Sequence, residues 1–115
     1  MEQAKEDLHT AEANLQIKKY YVTAFFCQQA AENALKALTI EKLKENPKSH
    51  SLIELGAKLG FKADEDLIEL NPDYTVSRYP DAANGIPAKM YSFKKAVKKL
   101  ASAKRIMAKV EKWMK

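Results

Sequence analysis

Residues 20–43, YYVTAFFCQQAAENALKALTIEKL, contain neither proline nor glycine, and their apolar side chains recur at three- and four-residue spacing. One row is Val22, Phe25/Phe26, Ala30, Ala37 and Ile40; a second is Ala24, Cys27, Ala31, Leu35 and Leu38. A helix that is apolar on more than one side is buried centrally or shares a face with a second subunit. The stretch therefore predicts a core helix from Tyr20 to about Leu43, and it decides the fold class.

Outward from that helix the chain keeps helical spacing. Ala4, Leu8, Ala11 and Leu15 make the stripe of a surface helix over about residues 2–17. Asn46, Pro47, Lys48 and Ser49 read as a loop, and Ser51 with Glu54 three residues on is a capping-box signal before Leu52, Ile53, Leu55 and Leu59. Gly60 stands where a left-handed C-terminal cap belongs. Asp64 is placed to cap a fourth helix through Leu67, Ile68 and Leu70, and Asn71-Pro72 predicts a restart over residues 72 to about 79. Pro80 to Pro87, PDAANGIP, reads as a loop. Met90, Phe93, Val97, Leu100, Ala103, Met107, Val110 and Met114 then predict a long closing helix. With no alternating β-branched run, the reading is all-α: an up-and-down bundle of four or five helices in one domain, residues 1–115.

Composition narrows the class. The 115 residues carry one cysteine, Cys27, so no internal disulfide can form, and no Cys/His cluster has metal-ligand spacing. No apolar run approaches a membrane span and no leader is evident, which points to a cytoplasmic setting without membrane attachment. P-loop, HExxH, GxSxG and CxxC patterns do not occur. Neither a metal nor a cofactor is expected. Charge is segregated: residues 1–88 hold 10 Lys/Arg against 14 Asp/Glu, whereas residues 89–115 hold 10 Lys/Arg against Glu111 alone. Lys94, Lys95, Lys98, Lys99, Lys104 and Lys109 read first as the solvated face of the closing helix, and second as an electrostatic surface for a phosphate polymer.

Two polar constellations interrupt the apolar pattern. Gln29, Glu32, Asn33 and Lys36 lie at helical neighbour spacing on the core helix. They either satisfy one another as a structural network or line a cleft for a ligand. Residues 74–81, YTVSRYPD, crowd Arg78, two tyrosines and Asp81 around a helix break. The fork of Arg78 suits phosphate or carboxylate, with Glu32 as an internal alternative. His9 and His50 have no catalytic companion nearby in sequence, and Cys27 reads as an apolar filler.

Taken together, Tyr20-Tyr21-Val22, Gln28-Gln29-Ala30-Ala31-Glu32 running into Leu35-Lys36-Ala37-Leu38, His50-Ser51-Leu52, Tyr74, Ser77-Arg78-Tyr79-Pro80-Asp81 and the Lys-rich closing helix resemble a HEPN domain over nearly the whole chain. The resemblance implies a compact helical bundle, a homodimer, and pairing with a minimal nucleotidyltransferase in a toxin–antitoxin-like pair. Some members are metal-independent RNases that use an arginine and a histidine with four to six residues between them. Arg78 matches that arginine, but the three histidine positions hold Ala83, Asn84 and Gly85, and Tyr79 replaces the usual polar residue. None of those three side chains can move the 2′-hydroxyl proton near neutral pH. The expectation is a non-catalytic binding protein that uses Gln29, Glu32, Asn33, Lys36, Arg78, Tyr79 and Asp81 for a nucleotide or RNA. The alternatives are an RNase acting through Arg78 and His50 at a dimer interface, and a nucleic-acid binder using the closing helix.

Overall fold

The computed structural model describes residues 1–62, 64–76 and 87–114; the side chains of residues 75, 76, 87 and 88 are not described. Secondary structure among these residues is helical throughout. The helices are α1 (Glu2–Gln16), α2 (Tyr20–Leu43), α3 (Leu52–Lys58), α4 (Glu65–Leu70), the single turns α5 (Asp73–Val76) and α6 (Pro87–Met90), and α7 (Phe93–Met114). A three-residue turn folds α1 back on α2. Lys18 takes the left-handed conformation there, φ 62°, and the amides of Lys18 and Lys19 close onto the carbonyls of Leu15 and Asn14 at 3.1 and 2.8 Å. The second row read from α2 is the core: Ala24, Cys27, Ala31, Leu35 and Leu38 are all fully buried against Ala4, Ala11, Ala103, Ile106 and Val110. Four alanines among the buried residues of α2 remove the bulk that would otherwise hold α1 and α7 away. The first row is different, with Val22, Phe25 and Ala37 half-buried and Ile40 exposed.

The short helices are set by their caps. Ser51 Oγ accepts from the Glu54 amide at 3.2 Å, as the sequence predicts. The reciprocal half of the box is absent: the Glu54 carboxylate takes Ser49 Oγ at 2.6 Å, and that hydroxyl accepts the Ser51 amide. At the far end Gly60, φ 81°, sits in the left-handed region, which glycine adopts without the strain a side chain brings there. The Phe61 amide reaches the Gly56 carbonyl at 2.8 Å and the Gly60 amide reaches Ala57 at 3.0 Å, satisfying two orphan carbonyls. Asp64 accepts from the Leu67 amide at 2.9 Å and starts α4. The restart after Pro72 gives Asp73–Val76; the rest of the predicted 72–79 helix, and the predicted loop up to residue 86, lie outside the described residues. Pro87 opens a helical turn instead of closing the loop.

The closing helix starts at Phe93, later than the periodicity predicts. Ser92 intervenes as its cap, with Oγ accepting from the Lys95 amide at 3.1 Å. Its buried face is Ala96, Lys99, Leu100, Ser102, Ala103, Ile106, Met107 and Val110. Two readings are thereby corrected: Phe93 and Val97 are exposed rather than part of the core stripe, and Lys99 is buried rather than solvated. The segregated charges also find partners, because α4 runs antiparallel to α7 and its acids meet the basic residues in order. Asp64 pairs with Lys109, Asp66 with Arg105, and Glu69 with Lys98 and Lys99. Arg105 holds Asp66 through Nε and Nη2 at 2.8–3.1 Å, and that hydrogen-bonded guanidinium holds the Asp66 carboxyl below the usual range.

Candidate functional site

Residues 28, 32 and 36 are one helical turn apart, so their side chains stack along one edge of α2, where α3 and α5 pack against it. At the centre is Glu32, whose side chain is 4% exposed. A carboxylate this deep must be fully hydrogen-bonded. Gln28 Nε2 donates to Oε1 at 3.0 Å, while Lys36 Nζ and His50 Nδ1 meet Oε2, each at 3.0 Å. Burial alone would push the Glu32 carboxyl up, but the bonds from Gln28, His50 and Lys36 outweigh it and hold the group below its ordinary value. An ionised carboxylate only accepts, so Nδ1 of His50 carries a proton and donates it to Glu32, while Nε2 points away from that contact. Gln29 Nε2 extends the chain by donating to Gln28 Oε1 at 2.7 Å.

His50 is anchored from the other side by Tyr74. The rings stack with centroids 4.3 Å apart and planes inclined by 11°. Half of the His50 side chain is exposed, so the stack lies at the surface above the buried carboxylate. Tyr74 belongs to α5, four positions before Arg78 in sequence. α5 is in turn fixed by Asp73. Lys99 Nζ lies 2.7 Å from Asp73 Oδ2, 2.8 Å from Glu69 Oε2 and 2.6 Å from the Glu69 carbonyl oxygen, and the Tyr91 hydroxyl donates to Asp73 Oδ1 at 2.5 Å. Burial raises the Asp73 carboxyl above its ordinary value, partly offset by Lys99 and Tyr91. Burial and the bond to Asp73 push the Tyr91 phenol upward.

Of the residues predicted to form the site, Gln29, Glu32 and Lys36 come together, and His50 joins them. Asn33 does not. A step of one residue turns it by about 100° toward α1, where Nδ2 donates to Asp7 Oδ2 at 2.7 Å. Arg78, Tyr79 and Asp81, with the suggested Arg78–Glu32 ion pair, lie outside the described residues. Sequence reasoning missed Gln28, the Tyr74 stack on His50, and the Asp73–Lys99–Tyr91 clamp. Lys99 had a signal, because it falls in line with Ala96 and Ala103 on the buried stripe; Tyr91 had none. Cys27 is buried, and burial pushes its thiol up to about 12, so it is no nucleophile. His9 is exposed on α1, beside Leu8 and Met107 in a shallow groove of about 330 Å³.

A larger open cleft of about 600 Å³ lies between α4 and α7, but its charged walls are the ion-paired residues Asp66, Glu69, Lys99 and Arg105. Among the described residues no group of three or more His, Cys, Asp or Glu is placed to hold a metal ion, and no helix is long and apolar enough to cross a membrane.

The bundle and its Glu32-centred edge define a small helical domain with a polar seam opened by an imidazole–phenol stack. The chain belongs to the HEPN domain family, whose model matches residues 1–113. It is similar to TT1696 from Thermus thermophilus, with 34% identity over 97% of this chain and 93% of that one and a TM-score of 0.88. It is also similar to ST0689, an archaeal HEPN homologue, with 29% identity over 99% of this chain and 93% of that one and a TM-score of 0.82. No curated protein matches the chain.

Proposed function

We propose that the chain is a cytoplasmic, non-catalytic HEPN-domain binding protein, a homodimer that serves as the partner subunit of a minimal nucleotidyltransferase in a toxin–antitoxin-like pair, with a nucleotide-accepting cleft beside α2. The observation that carries the nucleotide part is the surface stack of His50 on Tyr74 beside Lys36 and the Gln29 amide. A flat ring pair suits a purine face, and the Lys36 ammonium, 21% exposed at its side chain, together with the half-buried Gln29 amide suits phosphate and base edges. The dimer reading rests on the outward row of α2, where Ile40 is exposed and Val22, Phe25 and Ala37 are only half-buried. The sequence departure at Ala83, Asn84 and Gly85 supports binding without cleavage. The test is calorimetric titration with ATP. Saturable heat that disappears in Tyr74→Ala supports the cleft; no heat at millimolar ATP, with a folded protein, removes it. Co-expression with a minimal nucleotidyltransferase, and co-purification of the two, tests the partner.

A specific observation favours one second reading. His50 Nδ1 is held by a buried carboxylate, which leaves Nε2 as a proton acceptor, the arrangement of an oriented general base. In that reading His50 supplies the imidazole that the residues after Arg78 lack, and the protein is an RNase. The electrostatic reading of the closing helix is weakened, because Lys98, Lys99, Lys104, Arg105 and Lys109 all face acids of the same chain.

A further inference from the structure

Ile17, Tyr20, Phe93 and Val97 bring exposed apolar surface to one end of the bundle. Tyr20 opens α2 and Phe93 opens α7, and their rings meet edge to face with centroids 6.0 Å apart. Val97 lies one turn further along α7 on the same side, and Ile17 ends α1 in the turn that leads to Tyr20. Ile17 is 64% exposed, Phe93 58% and Val97 40%. Isolated exposed apolar residues are ordinary; side chains drawn together from three elements are not.

The charge around this patch has one sign. Residues 13–31, which build the turn and the start of α2, contain no Asp or Glu, and neither do residues 82–110. The same two stretches place Lys18, Lys19, Lys89, Lys94 and Lys95 around or next to the patch, all exposed. Among the described residues Lys18, Lys19 and Lys94 form no ion pair, whereas Lys98, Lys99, Lys104 and Lys109 further along α7 are matched by Glu69, Glu12 and Asp64. Acids of this chain are thus spent deeper in the bundle, and its end is left both apolar and positive.

We propose that this end of the bundle, formed by the α1–α2 turn and the first two turns of α7, docks an acidic amphipathic segment of a partner protein. The apolar face of such a segment covers Ile17, Phe93 and Val97 while its carboxylates meet Lys18, Lys19 and Lys94. A second copy of this chain fits poorly, since a two-fold contact would set lysine against lysine. A nucleic-acid strand fits poorly as well: stacking needs open ring faces in series, and here one ring is set edge to face with its neighbour between aliphatic side chains. Tyr20 lies on the core side of α2, about half a turn from the row Val22, Phe25, Ala37 and Ile40 assigned to the dimer, so the inference does not depend on the nucleotide or dimer readings.

The test is fluorescence anisotropy with the full chain and a labelled helical peptide of about 18 residues, leucines on one face and glutamates beside them. A lysine-flanked peptide, a short oligouridine and phosphatidylserine vesicles are run alongside. The glutamate peptide should bind saturably, weaken as salt rises, and lose at least about tenfold in affinity in Phe93→Ser and in Lys94→Glu. Both positions are exposed, so circular dichroism should show unchanged folding, and heats with ATP should be the same as for the unaltered protein. Failure of the glutamate peptide to bind, or binding indifferent to Phe93→Ser, overturns the proposal. So does Phe93-dependent binding of oligouridine or vesicles in preference to the peptide, or a sedimenting dimer that Phe93→Ser dissociates.

Discussion

Replacing Lys99 by methionine keeps most of the buried aliphatic stem and removes only the ammonium, which sits 2.6–2.8 Å from three oxygens. The loss falls unevenly. Glu69, 23% exposed at its side chain, still has water and Lys98 at 3.2 Å. Asp73, 3% exposed, keeps the Tyr91 hydroxyl but loses the Lys99 ammonium. Breaking a buried ion pair by removing one partner costs about 3–5 kcal/mol. Asp73 can limit that cost by taking up a proton, since burial already raises its carboxyl, so the lower end applies, about 3 kcal/mol. For a domain of this size that is a fall in Tm of about 12 °C. The measurement is urea unfolding followed by helical circular dichroism at pH 7, with the slope unchanged. A carboxyl raised on folding binds its proton more readily in the folded state, so the deficit of Lys99→Met should shrink as pH falls towards the ordinary aspartate value of 3.8. Lys98→Met is the control: Lys98 is 69% exposed, and its loss should cost less than about 1 kcal/mol. Equal effects of the two substitutions at pH 7 would refute the claim that Lys99 clamps α5.

Further expectations follow from the same geometry. Glu32→Gln should cost about 2 kcal/mol at pH 7, because Lys36 and His50 lose their anion. Glu32 is held below its ordinary value of 4.5, so its contribution is present above that pH and disappears as pH falls through the depressed value; urea midpoints that still differ fully near pH 3 would contradict this. Of the three left-handed helix ends, at Lys18, Lys44 and Gly60, two should respond in opposite directions, Gly60→Ala losing about 1 kcal/mol and Lys18→Gly gaining up to about 1 kcal/mol in the same assay. The Cys27 thiol should resist an aromatic disulfide reagent in the native state and react once in urea; rapid native labelling would mean that the core around α2 opens.

Most of the fold was legible because its signals are local. The α1 and α2 stripes, the Ser51 and Asp64 caps and the Gly60 turn each depend on a few neighbouring residues, and each is found where the sequence puts it. The end of α1 was less clear, since Lys18 takes a conformation that composition assigns to glycine. The start of α7 was misread because Phe93 and Val97 continue the apolar period of the core stripe while facing solvent. Periodicity reports which side chains share a face, not whether another element covers that face.

The site was legible only in part, for the same reason. Helical spacing groups Gln29, Glu32 and Lys36, but His50 reaches Glu32 across 18 residues and Tyr74 reaches His50 across a further two helices. Asn33 looked equivalent to its neighbours until α1 supplied Asp7. The charge asymmetry also has a tertiary explanation: acids of α4 and bases of α7 are distant in sequence and adjacent in the bundle.

The most direct measurement incubates purified protein with a labelled single-stranded RNA for many hours without metal and follows its length on a denaturing gel. The account predicts intact RNA, with no difference between the natural chain and its Arg78→Ala variant. Fragments that accumulate with the natural chain and vanish with Arg78→Ala, or with His50→Ala, would contradict it and make the oriented imidazole of His50 a general base.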